Sequence, residues 1–303
     1  MSPSAFVRDL PATVRARARD AGASAWLENL PRLVASLAAA WGLRLGVPFR
    51  DSTEAYVVEA RRDDGAEAVL KILIPRPGDA AAHEIAFLRE AGGGACCRVL
   101  EHDESRGALL VERLGPAMSD LDLPLPDRLE ILTGLAAALW RPTAATLPTG
   151  ADRAERMSRL IRIKWTKLGE PCTRAAVDQA LAAAESRRRA HNPHGAVLVH
   201  GDIHQWNALR AGDGFKLVDP DGYVAEPECD LGVLMREDPA ELIEGDPWDR
   251  CRWLSDRTGT DPRAIWEWGL ADRVATGLTL TVAGLQPVAS QMLAAADAIA
   301  RSS

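Results

Sequence analysis

His200-Gly201-Asp202-Ile203-His204-Gln205-Trp206-Asn207-Ala208-Leu209, followed by Leu217-Val218-Asp219-Pro220-Asp221-Gly222, is the stretch of this 303-residue chain that decides its fold. Asn207 stands five residues after Asp202, and Asp219 stands twelve after Asn207, at the end of the next apolar segment. That spacing suits phosphoryl transfer. A first Asp orients an attacking hydroxyl and takes its proton, while an Asn and a distal Asp hold Mg²⁺ against nucleotide phosphates. Taken alone, Asp202 reads equally well as a turn residue, because turns favour Asp for their own hydrogen bonding. Asn207 and Asp219 separate the two readings, since Mg²⁺ takes hard oxygen ligands from a few side chains and leaves the rest of its shell to phosphate and water.

Outward from this stretch, the apolar runs 196–199 and 215–218 read as short strands on either side of the catalytic turn. Helical periodicity fills 126–140, 151–167 and 173–191 before it, and helices return from residue 229 to an Ala-rich packed helix at the end. The first part of the chain has a different texture. Two leading helices occupy 12–41, with Pro31 opening the second; strand patterns follow at 45–49, 55–60, 67–74, 98–102 and 108–114, with a helix at 79–91 inserted among them. Asp63-Asp64-Gly65 supplies the turn between two of these strands. The pattern changes at Gly115-Pro116, so an N-terminal lobe over 1–114 and a C-terminal lobe over 115–303 are expected, in an α+β fold with a small β-rich lobe and a larger, mainly helical one.

A formal net charge of −7 argues against a nucleic-acid or anionic-membrane partner, which would want a basic face, and suits a cationic or neutral small molecule. The five cysteines form no C-x-x-C pair and leave one over, which favours a reducing cytoplasm over a disulfide framework. The start of the chain has no apolar core of signal-peptide length, and no run approaches the roughly 20 apolar residues of a membrane span.

His200-Gly201-Asp202 with His204, the Asp-to-Asn step, Asp219-Pro220-Asp221-Gly222 and Glu226-Pro227-Glu228-Cys229-Asp230-Leu231 resemble the aminoglycoside phosphotransferase group of kinase-like folds. Within it they are most similar to the streptomycin 6-kinase and hydroxyurea phosphotransferase branch, over nearly all of the chain after about residue 40. The resemblance implies a bilobal protein-kinase-like fold that uses ATP and Mg²⁺, with Asp202 as catalytic base and Asn207 and Asp219 as metal ligands. It also implies a lysine on the third small-lobe strand, which Lys71 in Ala68-Val69-Leu70-Lys71-Ile72 fits, and a helix carboxylate to hold it, either Glu84 or Glu90. Adenine would be met by backbone groups of Val111-Glu112-Arg113-Leu114, those of Glu112 and Leu114 in particular. The phosphate-covering loop departs from protein kinases: Phe49-Arg50-Asp51-Ser52-Thr53-Glu54-Ala55 has no Gly-rich run, leaving Ser52 and Thr53 as candidate donors.

On the acceptor side, residues 201–250 hold 13 acidic and four basic side chains, which fits a pocket for a cation as well as it fits a solvated surface. Glu226, Glu228 and Asp230 are the acidic candidates there, with His204 beside them, although Asp230 reads equally as a brace for the catalytic turn. Trp206 either narrows the acceptor entrance or packs on a helix, and Trp248, Trp253, Trp266 and Trp268 read as core more than as pocket wall. His191, His194, His200 and His204 have a spacing that superficially suits zinc. The expected activity is transfer of the γ-phosphoryl of ATP to a hydroxyl of an aminoglycoside of the streptomycin type. The alternatives are a metabolic kinase for a sugar, amino sugar or hydroxyurea-like compound, and an inactive nucleotide-binding module.

Overall fold

The computed structural model describes residues 10–50, 52, 54–76 and 80–302. The chain separates into two compact units that adjoin in sequence at Gly115 and Pro116.

The first unit begins with α1 (Ala12–Asp20) and α2 (Ser24–Ala40), then carries β1 (Leu43–Pro48), β2 (Ala55–Arg62), β3 (Glu67–Leu73), α3 (Ala80–Ala91), β4 (Val99–Asp103) and β5 (Ala108–Glu112). The strands form one antiparallel sheet in the order β1-β2-β3-β5-β4. Leu27, Leu30, Val34 and Leu37 recur at helical spacing along α2 and share a core with Val58, Leu70, Ile72 and Leu110 of the sheet. Pro31 does not open this helix, as its sequence suggests, but lies inside it. The missing amide bond costs ~3 kcal/mol, and the uninterrupted stripe of four buried Leu and Val side chains, each worth ~1.5–3 kcal/mol, offsets it. Because side chains alternate along a strand, Leu70 and Ile72 fill the α2 face while Lys71 points to the other.

The second unit contains α4 (Leu125–Leu139), α5 (Gly150–Lys167), α6 (Arg174–Ala190), β6 (Val197–Val199), β7 (Ala208–Ala211), β8 (Gly214–Leu217), β9 (Tyr223–Ala225), α7 (Glu228–Leu234), α8 (Pro239–Leu242), α9 (Pro247–Thr258), α10 (Pro262–Ala283) and α11 (Val288–Ser302). Two short antiparallel pairs, β6 with β9 and β7 with β8, frame residues 200–207. The helix α10 is the central one, burying Ile265, Trp268, Val274 and Leu278. It crosses α7 at two glycines: a Cβ on Gly232 would stand 2.3 Å from the Trp268 Cβ, and one on Gly269 would stand 2.7 Å from the Met235 Cβ. Only hydrogen at both positions permits this approach.

Candidate active site

The turn after β6 is built from the backbone outward. Gly201 has φ +80°, and a Cβ there would lie 2.7 Å from Tyr223 Cδ2 and 2.9 Å from Arg153 Nη1, so glycine is required twice over. Its N–H donates to Asp230 Oδ1 at 2.7 Å, while the His200 N–H and Trp140 Nε1 both donate to Asp230 Oδ2 at 3.1 Å. Asp230 is fully buried. Burial pushes its carboxyl up to about 6 against the opposing pull of those three donors.

His200 is fully buried as well and joins the turn to the segment before Asp219. Its Nδ1 accepts from the Asp202 N–H at 3.3 Å, and its Nε2 donates to the Val218 carbonyl at 3.1 Å. An amide only donates and a carbonyl only accepts, so the neutral ring with its proton on Nε2 satisfies both bonds. Burial holds this imidazole at a pKa of about 4. His200 thus packs and hydrogen-bonds behind the turn.

Asp202 is held at both oxygens. Arg236 donates to Oδ1, while His204 Nε2 and Asn207 Nδ2 lie 3.2 and 3.1 Å from Oδ2. About a third of the side chain (33%) stays open to solvent. The deep setting of the carboxyl pushes its pKa up, but the charges of His204 and Arg236 and their hydrogen bonds outweigh that and hold it well below the usual range. Asp202 is therefore a carboxylate at neutral pH.

Asn207 Nδ2 also donates to the Asp202 carbonyl at 3.0 Å, which fixes the amide's orientation and turns its oxygen to other use. The Val218 N–H donates to the Asn207 carbonyl at 2.9 Å, bringing the backbone of Asn207 alongside that of Asp219, which has φ +57°. One amide oxygen and one carboxylate are hard donors of the kind a Mg²⁺ ion takes when phosphates complete its shell. Among the described residues no group of three or more His, Cys, Asp or Glu side chains is arranged to hold a metal, so the four histidines do not form the zinc site their spacing suggests.

In the first unit, Lys71 Nζ stands 2.5 Å from Glu84 Oε1, with both side chains buried, so Glu84 is a partner of the strand lysine. The Glu112 side chain accepts from the Arg98 N–H at 2.7 Å, and Leu114 lies two residues beyond. The Ser52 hydroxyl donates to the Ala55 carbonyl within its own loop, and the Ser52 carbonyl accepts from Thr13 of α1 at 2.9 Å. Thr53 lies outside the described residues.

The acidic segment differs most from expectation. Asp230 is fully buried and its two oxygens hold the turn at His200 and Gly201, the alternative its sequence position allowed. Glu226 accepts from Trp268 Nε1 at 2.7 Å and pairs with Arg187 at 3.4 Å, and Glu228 accepts from the Asp261 N–H at 2.9 Å. These carboxylates have internal partners. His204 does stand at the site, and Trp206, 52% exposed, presents its ring beside it with centroids 5.6 Å apart. Trp268 is core, while Trp248 and Trp266 stack on each other at 4.5 Å.

Sequence reading alone misses Arg236, Asp272 and Arg153. Arg236 Nη1 donates to Asp272 Oδ2 at 2.6 Å and to Thr276 Oγ1 at 2.7 Å, and Arg153 Nη2 donates to Asp272 Oδ1 at 3.1 Å. The available signal was a charged residue closing the apolar run Leu231–Met235 and an Asp-Arg pair inside the apolar stretch of α10, since buried charges are kept only when paired.

A five-stranded antiparallel sheet carrying a buried Lys–Glu pair, followed by a helical unit that holds an Asp-Asn turn beside a distal Asp, defines a kinase-like phosphotransferase with an alcohol group as acceptor. The model of the aminoglycoside/hydroxyurea antibiotic resistance kinase family matches residues 40–278, and the chain belongs to that family. It is 30% identical over 294 residues to a streptomycin 6-kinase of Streptomyces griseus, covering 91% of each chain. It is 31% identical over 242 residues to a hydroxyurea phosphotransferase of Kitasatospora aureofaciens, covering 74% of this chain and 67% of that one. Among solved structures, the aminoglycoside phosphotransferase APH(4)-Ia in ternary complex with ADP and hygromycin B shares the fold, with a TM-score of 0.60 at 17% identity over 88% of this chain and 97% of that one. The choline kinase LicA from Streptococcus pneumoniae does so with a TM-score of 0.62 at 10% identity, over 91% and 100%. Among the described residues no helix is long and apolar enough to cross a membrane.

Proposed function

We propose that this protein transfers the γ-phosphoryl group of ATP to a hydroxyl of an aminoglycoside of the streptomycin type. The observation that carries the reading is the Asp202 carboxylate, fixed at both oxygens yet a third open, five residues before Asn207. The acceptor oxygen forms a bond to the γ-phosphorus as the bond from that phosphorus to the β–γ bridging oxygen breaks; the electron pair stays with ADP and the hydroxyl proton passes to Asp202. The Asn207 amide oxygen and the Asp219 carboxylate would hold Mg²⁺, whose chemistry when bound is to neutralise phosphate charge. Lys71, oriented by Glu84, would bind the α- and β-phosphates. In this reading the adenine contacts and the lysine that meets the phosphates belong to residues 1–114, and the metal ligands and the acceptor chemistry to 115–303.

Similarity to streptomycin 6-kinase over 91% of both chains supports the acceptor class. The exposed Trp206 ring beside His204 suits a guanidinium or an amine, which aromatic faces attract. We place the activity in the cytoplasm, in keeping with five buried cysteines that form no C-x-x-C pair. A second reading, transfer to the hydroxyl of a hydroxyurea-like compound, is favoured by the relative of that activity. A panel of streptomycin, other aminoglycosides, amino sugars, simple sugars and hydroxyurea, incubated with Mg·ATP and read by mass, separates them. Phosphorylated streptomycin is the expected product; preferential transfer to hydroxyurea or to an uncharged sugar would replace the first reading.

A further inference from the structure

We propose that Arg236 is a positioning residue for the acceptor step: it fixes the Asp202 carboxylate so that the one lone pair left open, on Oδ1, meets the attacking hydroxyl. The inference rests on Asp202 as the base. A carboxylate offers about four lone-pair sites. Arg236 takes one on Oδ1, and His204 and Asn207 take those on Oδ2, so the remaining site lies beside the guanidinium.

The terminal torsion of an Asp side chain is broad and roughly two-fold, so hydrogen bonds have to set it. His204 and Asn207 grip one oxygen only, at 3.2 and 3.1 Å, and leave the carboxylate free to turn about that end. Arg236 holds the other oxygen and stops the rotation.

Arg236 is itself immobilised. It is 7% exposed, and its Nη1 is shared between Asp272 at 2.6 Å and Thr276 at 2.7 Å, one turn apart on α10. The far oxygen of Asp272 takes Arg153 Nη2 at 3.1 Å, and Arg153 Nη1 reaches Asp221 at 3.2 Å, two residues past Asp219. One continuous chain of charges thus runs from the base to the segment that follows the distal Asp. A planar fork can serve Asp202 and Asp272 together through separate nitrogens, whereas an ammonium is a single point charge. If Arg236 only neutralised buried carboxylates, lysine would serve equally well.

The test is therefore Arg236→Lys in the full chain. We expect kcat to fall on the order of 100-fold, the size of effect that a displacement of about 1 Å in a catalytic group produces. The KM for Mg·ATP should stay within about threefold, because no binding of nucleotide is removed. Asp272→Asn, which never touches Asp202 but anchors Arg236, should act in the same direction, and the double variant should be no worse than the more damaged single one. A kcat within about threefold of wild type in Arg236→Lys, or additive losses in the double variant, would overturn the proposal. Should Arg236→Lys not fold, Asp272→Asn carries the same test alone. A wild-type protein that binds ATP but phosphorylates no member of the acceptor panel would sink the proposed function instead. Crystal structures of the wild type and a folded variant then decide the inference: a rotated Asp202 carboxylate supports it, and one left in place overturns it.

Discussion

The turn 200–207 and the segment 226–230 both rely on carboxylates, and what surrounds those carboxylates gives them opposite uses. Asp202 accepts from three side chains, keeps a lone pair and is a third exposed, whereas Asp230 is fully buried and bonded to two backbone amides and an indole. Glu226 and Glu228 likewise take donors from Trp268, Arg187 and the Asp261 amide. Donor count and access, more than closeness to a motif, decide whether an acid does chemistry or holds the backbone.

The largest effect should come from Asp202→Asn, which removes the proton acceptor while keeping the shape. If the carboxylate acts on the acceptor as proposed, phosphoryl transfer should fall by on the order of 10³-fold with ATP affinity nearly intact. Steady-state transfer beside an ATP titration reads both quantities, and near-normal turnover would erase the contrast with Asp230. Asp219→Ala should differ in kind. It should weaken Mg²⁺-dependent nucleotide binding by about tenfold or more in addition to slowing the reaction, as calorimetry with and without Mg²⁺ would register.

Asp230→Asn should act on stability first. An amide cannot accept from both backbone N–H groups with both of its atoms, so one buried donor loses its partner, at a cost of about 1–3 kcal/mol. Chemical denaturation measures that loss, and the acceptor KM should not move. A raised acceptor KM at full stability would return Asp230 to the acceptor pocket.

His200 gives the pH dependence. Its folded pKa of about 4 lies below the ordinary value of 6.5, so the unfolded chain binds more protons between the two. The stability tied to the neutral ring is complete above about pH 6.5 and is lost as pH falls towards 4, about 3 kcal/mol in all. Denaturation curves of the wild type and His200→Gln across that window should converge as pH falls; parallel curves would mean the ring is not held neutral. The smallest effect should be that of Glu226→Gln and Glu228→Gln on a cationic acceptor, with KM changed by about twofold or less. A tenfold rise would make the segment a cation-binding wall after all.

The parts of this molecule that were legible in its sequence are those set by local spacing. The Asp202–Asn207 step, Asp219 after an apolar run, and Lys71 between apolar neighbours on a strand are short-range patterns, and so are the five strands of the first unit. The clamp on Asp202 was not legible, because Arg236, Asp272 and Arg153 come from three separate helical regions and meet only when α5, α7 and α10 pack. Strands β7 and β9, four and three residues long, are too short to show alternation. Pro31 misled for the opposite reason: a local breaker signal was overridden by a tertiary contact stripe.

The two-glycine crossing of α7 and α10 bears on how such an enzyme can diverge. Asp230 lies near the start of α7 and Arg236 just beyond its end, while Asp272 and Thr276 ride on α10, so the gap between these helices sets the reach of the clamp. A methyl group at position 232 or 269 would wedge that gap open from within the core. In a library selected for new acceptors, substitutions should accumulate at exposed positions such as Trp206, while residues 232 and 269 remain glycine in every active survivor. That outcome would put substrate range and catalytic geometry under separate mutational control.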